Sequence, residues 1–235
     1  MPPIEFRVEK KFLVPDAALR VLGARLSAVM AQDAHQTGAC YRIRSLYFDS
    51  LSDEGMAENE AGVDLRRKFR IRLYDPACES MRLEIKDKLS GFTRKTACTI
   101  TRAECASLMA GELPALGERR VLNALRVRMQ THLLRPKAVI EYERTAFVHP
   151  TGNVRVTFDR QIAASACTQG FLDGSVPHLV PLLGGGMQVL EVKYDELLPD
   201  FIAQALELGT LEPCAFSKYY LGRLAIRGEF PLAVL

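Results

Sequence analysis

The 235-residue sequence contains no long apolar run and no closely spaced group of cysteines or histidines. No segment approaches the roughly 18 apolar residues of a membrane-spanning helix, and charges interrupt the amino-terminal region at once, so neither a membrane segment nor a signal peptide is predicted. The six cysteines form no CxxC pair, which excludes zinc-finger spacing and favours free thiols in a reducing compartment. We therefore expect a cytoplasmic protein.

The sequence also has little net charge. Its 31 basic and 28 acidic residues leave a formal charge of +3, which argues against a surface that coats nucleic acid, so no nucleic-acid partner is expected. The glycines at 184–186 are followed by neither Lys-Ser nor Lys-Thr, which excludes a P-loop. No linker or repeat divides the chain, and we predict a single domain over 1–235. The oligomeric state cannot be read from these patterns.

Alternating apolar and polar residues predict a chain dominated by strands. The expected strands are 6–14, 41–49, 66–74, 81–88, 92–101, 137–148, 154–160 and 187–194, with a hairpin turn at Ser90-Gly91. Helices are expected at 16–30, from 103 to about 135 with a break near Pro114 and Gly117, at 199–208 and at 216–227. Eight antiparallel strands suffice to close a barrel and remove its free edges. The predicted fold is therefore α+β, a closed eight-stranded antiparallel β-barrel with helices packed on the outside.

The strand predicted at 66–74 separates charge from apolar surface. Because successive side chains on a strand point to opposite faces, one face carries Lys68, Arg70, Arg72 and Tyr74, and the other carries Phe69, Ile71 and Leu73. The apolar face is expected to pack against helices, which leaves the cationic face on the opposite side of the sheet.

The same separation recurs on five more strands. Their charged faces carry Arg7, Glu9 and Lys11; Arg82, Glu84, Lys86 and Lys88; Tyr142 and Arg144; Arg155, Thr157 and Asp159; and Glu191 and Lys193. One charged face is most simply a solvated face, whereas cations gathered on six strands repel one another unless an anion lies among them. If the charged faces point inward, the barrel encloses a cavity suited to an anion with several phosphates, because Arg binds phosphate bidentately and Lys acts as a point charge.

These strands resemble the VTC domain, the polyphosphate polymerase branch of the triphosphate tunnel metalloenzymes. The matching motifs are RVEKK at 7–11, SLYFD at 45–49, KFRIR at 68–72, LEIK at 83–86, EYERTAF at 141–147, VRVTFD at 154–159, LEVKY at 190–194 and SKY at 217–219. They occur in the family's order and span nearly the whole chain. The resemblance implies a phosphate-binding tunnel of eight strands.

The resemblance also implies roles for individual residues. The expected catalytic residues are Lys11, Arg70, Arg72, Lys86, Arg144 and Glu191, with Glu191 also the ligand of Mn²⁺ or Mg²⁺. The expected substrate-binding residues are Arg7, Glu9, Lys68, Glu84, Lys95, Tyr142, Arg155, Lys193, Ser217 and Lys218. The strand at 92–101 has fewer basic residues than its relatives, and the alternation favours Lys95 over Arg94 as its inward residue.

One position on the first strand bears on the function. Arg7 stands where the thiamine-triphosphatase and adenylyl cyclase branch carries a glutamate, which lowers the number of metal ligands and favours phosphate-chain binding. The resemblance therefore implies a metal-dependent phosphotransferase that moves the γ-phosphoryl group of ATP to a polyphosphate chain.

Three alternatives stay open. One is a hydrolase of tripolyphosphate or nucleoside triphosphates with the same fold, and another is a non-catalytic polyphosphate-binding sensor. The third is hydrolysis of RNA 5′-triphosphates, which lacks the support of a basic exterior. The expected partners are ATP and polyphosphate or tripolyphosphate.

Overall fold

The computed structural model describes residues 7–36, 38–89 and 92–229. The strands in these ranges are β1 (Val8–Pro15), β2 (Ala31–Gln32), β3 (Tyr41–Asp49), β4 (Arg66–Leu73), β5 (Ser80–Leu89), β6 (Phe92–Thr101), β7 (Arg135–His149), β8 (Val154–Ser165), β9 (Val180–Pro181) and β10 (Met187–Tyr194). The helices are α1 (Asp16–Ser27), α2 (Glu54–Glu60), α3 (Arg102–Met109), α4 (Arg120–Thr131), α5 (Asp200–Ala205) and α6 (Lys218–Arg227). The predicted turn at Ser90-Gly91 and residue 6 of the first predicted strand lie outside the described residues.

Eight strands form one antiparallel sheet in the order β1-β10-β8-β7-β3-β4-β5-β6, and the short strands β2 and β9 pair with β7 and β8. These eight correspond to the eight predicted strands. The predicted closed barrel is not seen as a continuous ladder, because within the described ranges no backbone pairing joins β1 to β6. Part of the free edge of β1 is taken by a later segment: Cys214 N donates to Lys11 O at 2.8 Å, and Phe12 bridges Pro213. Backbone groups that could have paired with β6 are thereby occupied.

The sheet nevertheless curls until its two ends meet through side chains. Lys86 Nζ on β5 lies 3.6 Å from Glu9 Oε2 on β1, although five strands separate β5 from β1 in the sheet. The charged faces of the strands therefore border one concave space. We call this space the lumen, bounded by the inward-facing side chains of β1, β3, β4, β5, β6, β7, β8 and β10.

The outer, apolar faces of the strands pack against helices, as predicted. Phe69, Ile71 and Leu73 on β4 are buried in one cluster with Leu122 and Leu125 of α4. A second outer cluster joins β1, β8 and β10 to α1 and α5. None of the helices in the described part of the chain is long and apolar enough to cross a membrane.

Helix α6 corrects the prediction that all helices pack outside. Its Leu221 and Leu224 are buried with Ile43 of β3 and Ile140 of β7, and Ile140 shares the inward face of β7 with Tyr142 and Arg144. Gly222 lies so close to the sheet that a Cβ there would collide with Ile140. The helix packs inside because the inward faces are apolar at this one end. It fills the closed end of the lumen and leaves the opposite, polar end open.

A β-bulge in β8 allows the inward face to change from polar to apolar along that strand. Between the pairs Glu141–Ala163 and Glu143–Arg160, β8 carries one residue more than β7, and Gln161 adopts a φ of 51°. The extra residue shifts the alternation, so Ile162 continues the inward face formed by Arg155, Thr157 and Asp159.

Candidate phosphate-binding site

The carboxylate of Glu84 on β5 organises the first group of inward cations, the Glu84 cluster. Arg70 contacts it at 2.7 Å, Lys95 at 3.2 Å and Arg72 at 3.8 Å. Burial alone would raise the pKa of Glu84, but Arg70, Arg72 and Lys95 lower it to about 2. Lys95 therefore faces inward as the alternation favoured, whereas Arg94 pairs with Asp87 at 3.2 Å.

The second group, the Glu191 cluster, joins β1, β5 and β10. Lys193 contacts both Glu191 and Glu9, and Lys11 lies 2.9 Å from Glu9. Burial would raise the pKa of Glu9, but Lys193, Lys11 and Lys86 hold it at about 2, against the opposing effect of Glu191. The pKa of the buried Glu191 is likewise held well below its ordinary value, chiefly by Lys193. Both carboxylates are therefore ionised at neutral pH.

The third group, the Asp159 cluster, lies deepest. Asp159 has 0% of its surface exposed, and it receives two hydrogen bonds from Arg144, at 2.6 and 2.7 Å, and an ion pair from Lys218 at 2.6 Å. Both cations also lie over the ring of Tyr142, at 5.2 and 4.9 Å from its centroid. Burial would raise the pKa of Asp159, but Arg144 and Lys218 lower it. The sequence placed Asp159 on a charged face without giving it a role.

Lys68 lies where the lumen meets the amino-terminal end of α6. Its Nζ donates to Asn59 Oδ1 at 2.8 Å and to Ser217 Oγ at 3.2 Å. Burial first, and then nearby cations led by Arg66, lower the pKa of Lys68 to about 7. Burial also lowers the pKa of Lys86 to about 8, despite the attraction of Glu9. These two amines lack enough negative charge around them to stay protonated up to their ordinary pKa.

Two of the predicted site residues lie apart from these groups. Arg7 forms an ion pair with Asp195 at 2.9 Å just before β1 begins. Arg155 lies at the open end, where it pairs with Asp33 and donates to the hydroxyl of Tyr41 at 3.2 Å. The structure thus brings most of the predicted set together and leaves Arg7 and Arg155 at the rim.

Three inward-facing tyrosines, Tyr41, Tyr47 and Tyr74, were not predicted as site residues, whereas Tyr142 was. The hydroxyl of the buried Tyr47 accepts a hydrogen bond from Arg70 at 3.0 Å. Tyr41 and Tyr74 meet at the open end, with ring centroids 6.2 Å apart. The signal was available, because Tyr41 and Tyr47 share one face of β3 by alternation and Tyr74 follows Arg72 on the cationic face.

Three buried polar atoms on the inward faces have no hydrogen-bond partner in the described part of the chain: Ser45 Oγ, Thr157 Oγ1 and Arg72 Nε. Ser45 is paired across the sheet with Arg72, and Thr157 with Glu191. Buried polar atoms are almost always hydrogen-bonded. These atoms are therefore suited to an oxygen-rich ligand that lies between the clusters.

The residues present fit a divalent cation only as a partner of such a ligand. Across residues 7–36, 38–89 and 92–229, no three His, Cys, Asp or Glu side chains are placed to hold a metal ion. Glu9 and Glu191 nevertheless share Lys193, and the unpartnered Thr157 Oγ1 is on the residue paired with Glu191. Mg²⁺ is commonly held by one or two carboxylates together with substrate phosphates. Glu191, with Glu9, therefore fits a metal ion that arrives with a phosphate chain.

The charges in these groups do not balance. The three clusters and Lys68 contain nine cationic side chains, Lys11, Lys68, Arg70, Arg72, Lys86, Lys95, Arg144, Lys193 and Lys218, and four carboxylates, Glu9, Glu84, Asp159 and Glu191. With every group ionised the excess is five positive charges. Such a surface attracts a multiply charged anion.

Comparisons with known proteins agree with this geometry. The sequence profile of the VTC domain family matches residues 6–226, a range that includes every strand motif of the resemblance. A search of curated proteins gives no match.

Solved structures with similar folds include a candidate adenylate cyclase from Bacillus halodurans, with 15% identity, a TM-score of 0.54 and coverage of 91% of this chain and 94% of that one. A candidate adenylate cyclase from Vibrio parahaemolyticus has 13% identity, a TM-score of 0.48 and coverage of 93% and 98%. The Mimivirus capping enzyme triphosphatase has 9% identity, a TM-score of 0.39 and coverage of 87% and 86%. The Bacillus structure supports the fold.

Proposed function

Since this chain belongs to the VTC domain family, we propose that it is a metal-dependent phosphotransferase that moves the γ-phosphoryl group of ATP to a polyphosphate chain in the lumen. The observation that carries the proposal is the excess of positive charge among the three clusters and Lys68, which reaches five charges when every group is ionised. A phosphate chain supplies compensating charge along its whole length. It also supplies oxygens for unpartnered atoms such as Thr157 Oγ1.

The clusters provide what phosphoryl transfer needs from a protein. Such transfer depends on positioning and charge neutralisation more than on covalent chemistry. Arg70, Arg72 and Arg144 offer planar forks that bind phosphate oxygens bidentately, while Lys11 and Lys86 are point charges. A divalent cation bound with Glu191 would supply Lewis-acid stabilisation of phosphoryl oxygens.

The lumen also suits an extended chain. Along β4, Tyr74 at the open end and Lys68 at the closed end are six residues apart, or about 20 Å at the usual rise of a strand. Cations lie at both ends and between them, so one chain can contact several clusters at once. The closed tunnel predicted from the sequence is part of this proposal, with the Lys86–Glu9 contact holding the sheet's ends together.

Incubation of the purified protein with ATP and Mn²⁺, with products resolved on a gel, tests the proposal. We expect a ladder of phosphate chains from the wild type. Glu191→Gln should abolish it, and the exposed control Glu60→Gln should not. Release of inorganic phosphate without a ladder would refute the polymerase and leave the hydrolase.

A polyphosphate-binding sensor is the second candidate. The observation that favours it is that no three potential metal ligands gather in the described part of the chain. In a sensor, Glu191→Gln would not weaken tripolyphosphate binding, and neither the wild type nor the variant would turn over ATP. Loss of turnover confined to Glu191→Gln contradicts the sensor.

A further inference from the structure

Two tyrosines stand together at the open end of the lumen. Tyr41 begins β3, and Tyr74 directly follows β4; their ring centroids are 6.2 Å apart and their planes are inclined at 41°. Tyr74 is 45% exposed, whereas Tyr41 is partly buried. With this exposure, part of the Tyr74 ring is accessible to a planar ligand.

An arginine contacts each of these rings, and one of the two belongs to the Glu84 cluster. Arg72 lies over the ring of Tyr74, 5.9 Å from its centroid, and donates to its hydroxyl at 3.3 Å. On the other side, Arg155 donates to the hydroxyl of Tyr41 at 3.2 Å. Arg72 also contacts Glu84. The aromatic pair thus lies at the mouth of the phosphate-binding surface, directly beside it.

We infer that this pair is a subsite for the nucleobase of a nucleoside triphosphate, which stacks on the exposed face of Tyr74. The inference rests on the proposed function, since it assigns the non-phosphate part of the donor. Bases stack on aromatic side chains with little dependence on sequence, because every base has a π-face. Neighbouring arginines add charge for the phosphates that follow the sugar.

The position of the subsite fixes the direction of the donor. A base on Tyr74 places the α-phosphate near Arg72 and points the terminal phosphates toward the closed end, where Lys68 and Lys218 lie. A pure phosphate chain lacks the base and gains nothing from Tyr74. The aromatic pair therefore distinguishes a nucleotide donor from the polyphosphate that shares the lumen.

Paired binding measurements with ATP and tripolyphosphate, in a chelator to prevent turnover, test this subsite. Tyr74→Leu keeps apolar volume but removes the π-face, and we expect it to weaken ATP binding about five- to one-hundred-fold. Tripolyphosphate binding should change less than twofold. Phe201→Leu is the matched control, since Phe201 on α5 is an aromatic residue with 44% exposure on the outer surface.

A second variant gives a direct optical readout. The chain contains no tryptophan, so Tyr74→Trp creates a single fluorophore at the proposed subsite. Stacking of adenine should quench its emission as ATP is added. Tripolyphosphate at the same saturation should leave the emission nearly unchanged.

The outcomes separate this inference from the proposed function. Equal weakening of ATP and tripolyphosphate by Tyr74→Leu, or unchanged ATP binding together with no selective quenching in Tyr74→Trp, overturns the nucleobase subsite while phosphate binding stands. If the wild type binds neither ligand, the phosphate site itself is wrong and both proposals fall.

Discussion

Replacing Asp159 with Asn should make the protein less stable and yet a tighter binder of phosphate chains. Asn has nearly the same shape, so the change removes a charge and little volume. It leaves Arg144 and Lys218 buried side by side without their common carboxylate, whose oxygens lie 2.6 to 2.7 Å from the two cations. The folded protein then carries one more uncompensated positive charge in the lumen.

The expected loss of stability follows from the burial of the ion pairs that Asp159 makes. Removing one partner of a buried ion pair costs about 3–5 kcal/mol, because the remaining charge stays desolvated. For a chain of this size each kcal/mol lowers Tm by about 2–4 °C, so Tm should fall by roughly 6–20 °C. In Asp159→Asn the affinity for tripolyphosphate should rise, because the ligand no longer competes with an internal anion for Arg144 and Lys218.

Asp87 offers a matched control on the outside of the sheet. It also contacts two arginines, Arg67 at 2.6 Å and Arg94 at 3.2 Å, but these side chains are 39% and 52% exposed. Exposed pairs of this kind contribute at most about 1 kcal/mol. Losing both pairs should cost at most about 2 kcal/mol, so Asp87→Asn should lower Tm by no more than about 8 °C and leave tripolyphosphate affinity unchanged.

Melting curves and calorimetric titrations in a chelator measure both quantities. Because the fold lowers the pKa of Asp159, the contribution of Asp159 to stability is complete above the unfolded pKa of about 3.9 and is lost as the pH falls through the lowered pKa. The stability difference between wild type and Asp159→Asn should thus be largest at neutral pH and shrink only in acid. An unchanged Tm at pH 7, or tripolyphosphate binding that weakens along with the stability, contradicts this account of Asp159.

Three further predictions concern single elements of the lumen. The double variant Arg70→Ala with Arg72→Ala should weaken tripolyphosphate binding by about 3–6 kcal/mol in titrations. It should also lower Tm, since Glu84 loses two of its partners. Adding Glu84→Gln to the double variant should restore Tm but not the affinity for tripolyphosphate. With a pKa near 7, Lys68 is mostly neutral at pH 8, so the binding of tripolyphosphate should be accompanied by uptake of about one proton at Lys68. Calorimetry in buffers of different ionisation enthalpy measures this uptake, and Lys68→Arg should remove the part that is due to Lys68. Gly222→Val should cost about 1–3 kcal/mol in urea unfolding because α6 cannot approach the sheet, whereas an unchanged midpoint contradicts this close packing.

The strands and their two faces could be predicted because the residues alternate along the strands, except across the bulge in β8. Phe69, Ile71 and Leu73 are buried against helices on the outer face of the sheet, while Arg70 and Arg72 face the lumen, as a period of two requires. The same rule favoured Lys95 over Arg94, and the contact of Lys95 with Glu84 agrees with it. Alternation is a local property of the sequence, so the two faces of a strand can be predicted without knowledge of the strand order.

The location of α6 and the closure of the sheet depend on contacts that no local pattern contains. Leu221 and Leu224 on α6 are typical of any helix that packs on a sheet, and nothing in their spacing says which face receives them. Whether β1 meets β6 depends on the segment near Cys214, which bonds to β1 from the far end of the chain. Predicting eight strands therefore did not predict how the sheet would end.

Most of the candidate site followed from the strand motifs, but its internal pairing did not. Arg7 shares a face with Glu9 and Lys11, yet it pairs with Asp195 before the strand begins. Asp159 lacked a role because the importance of a carboxylate depends on which cations the fold brings to it. The assigned roles in binding and transfer stay predictions, as does the cytoplasmic location.

The four lumen carboxylates explain how one surface can fold around so many cations and still bind an anion. Three of them link different elements: Glu84 joins β5 to β4 and β6, Glu9 joins β1 to β5 and β10, and Asp159 joins β8 to β7 and α6. Glu191 contacts Lys193 on its own strand, β10. The carboxylates hold the walls of the lumen together through the same arginines and lysines that a phosphate chain would contact. Because four charges cannot neutralise nine, a chain adds compensation without having to displace all of them. Binding and folding stability should therefore rise together with ligand concentration, as linkage requires.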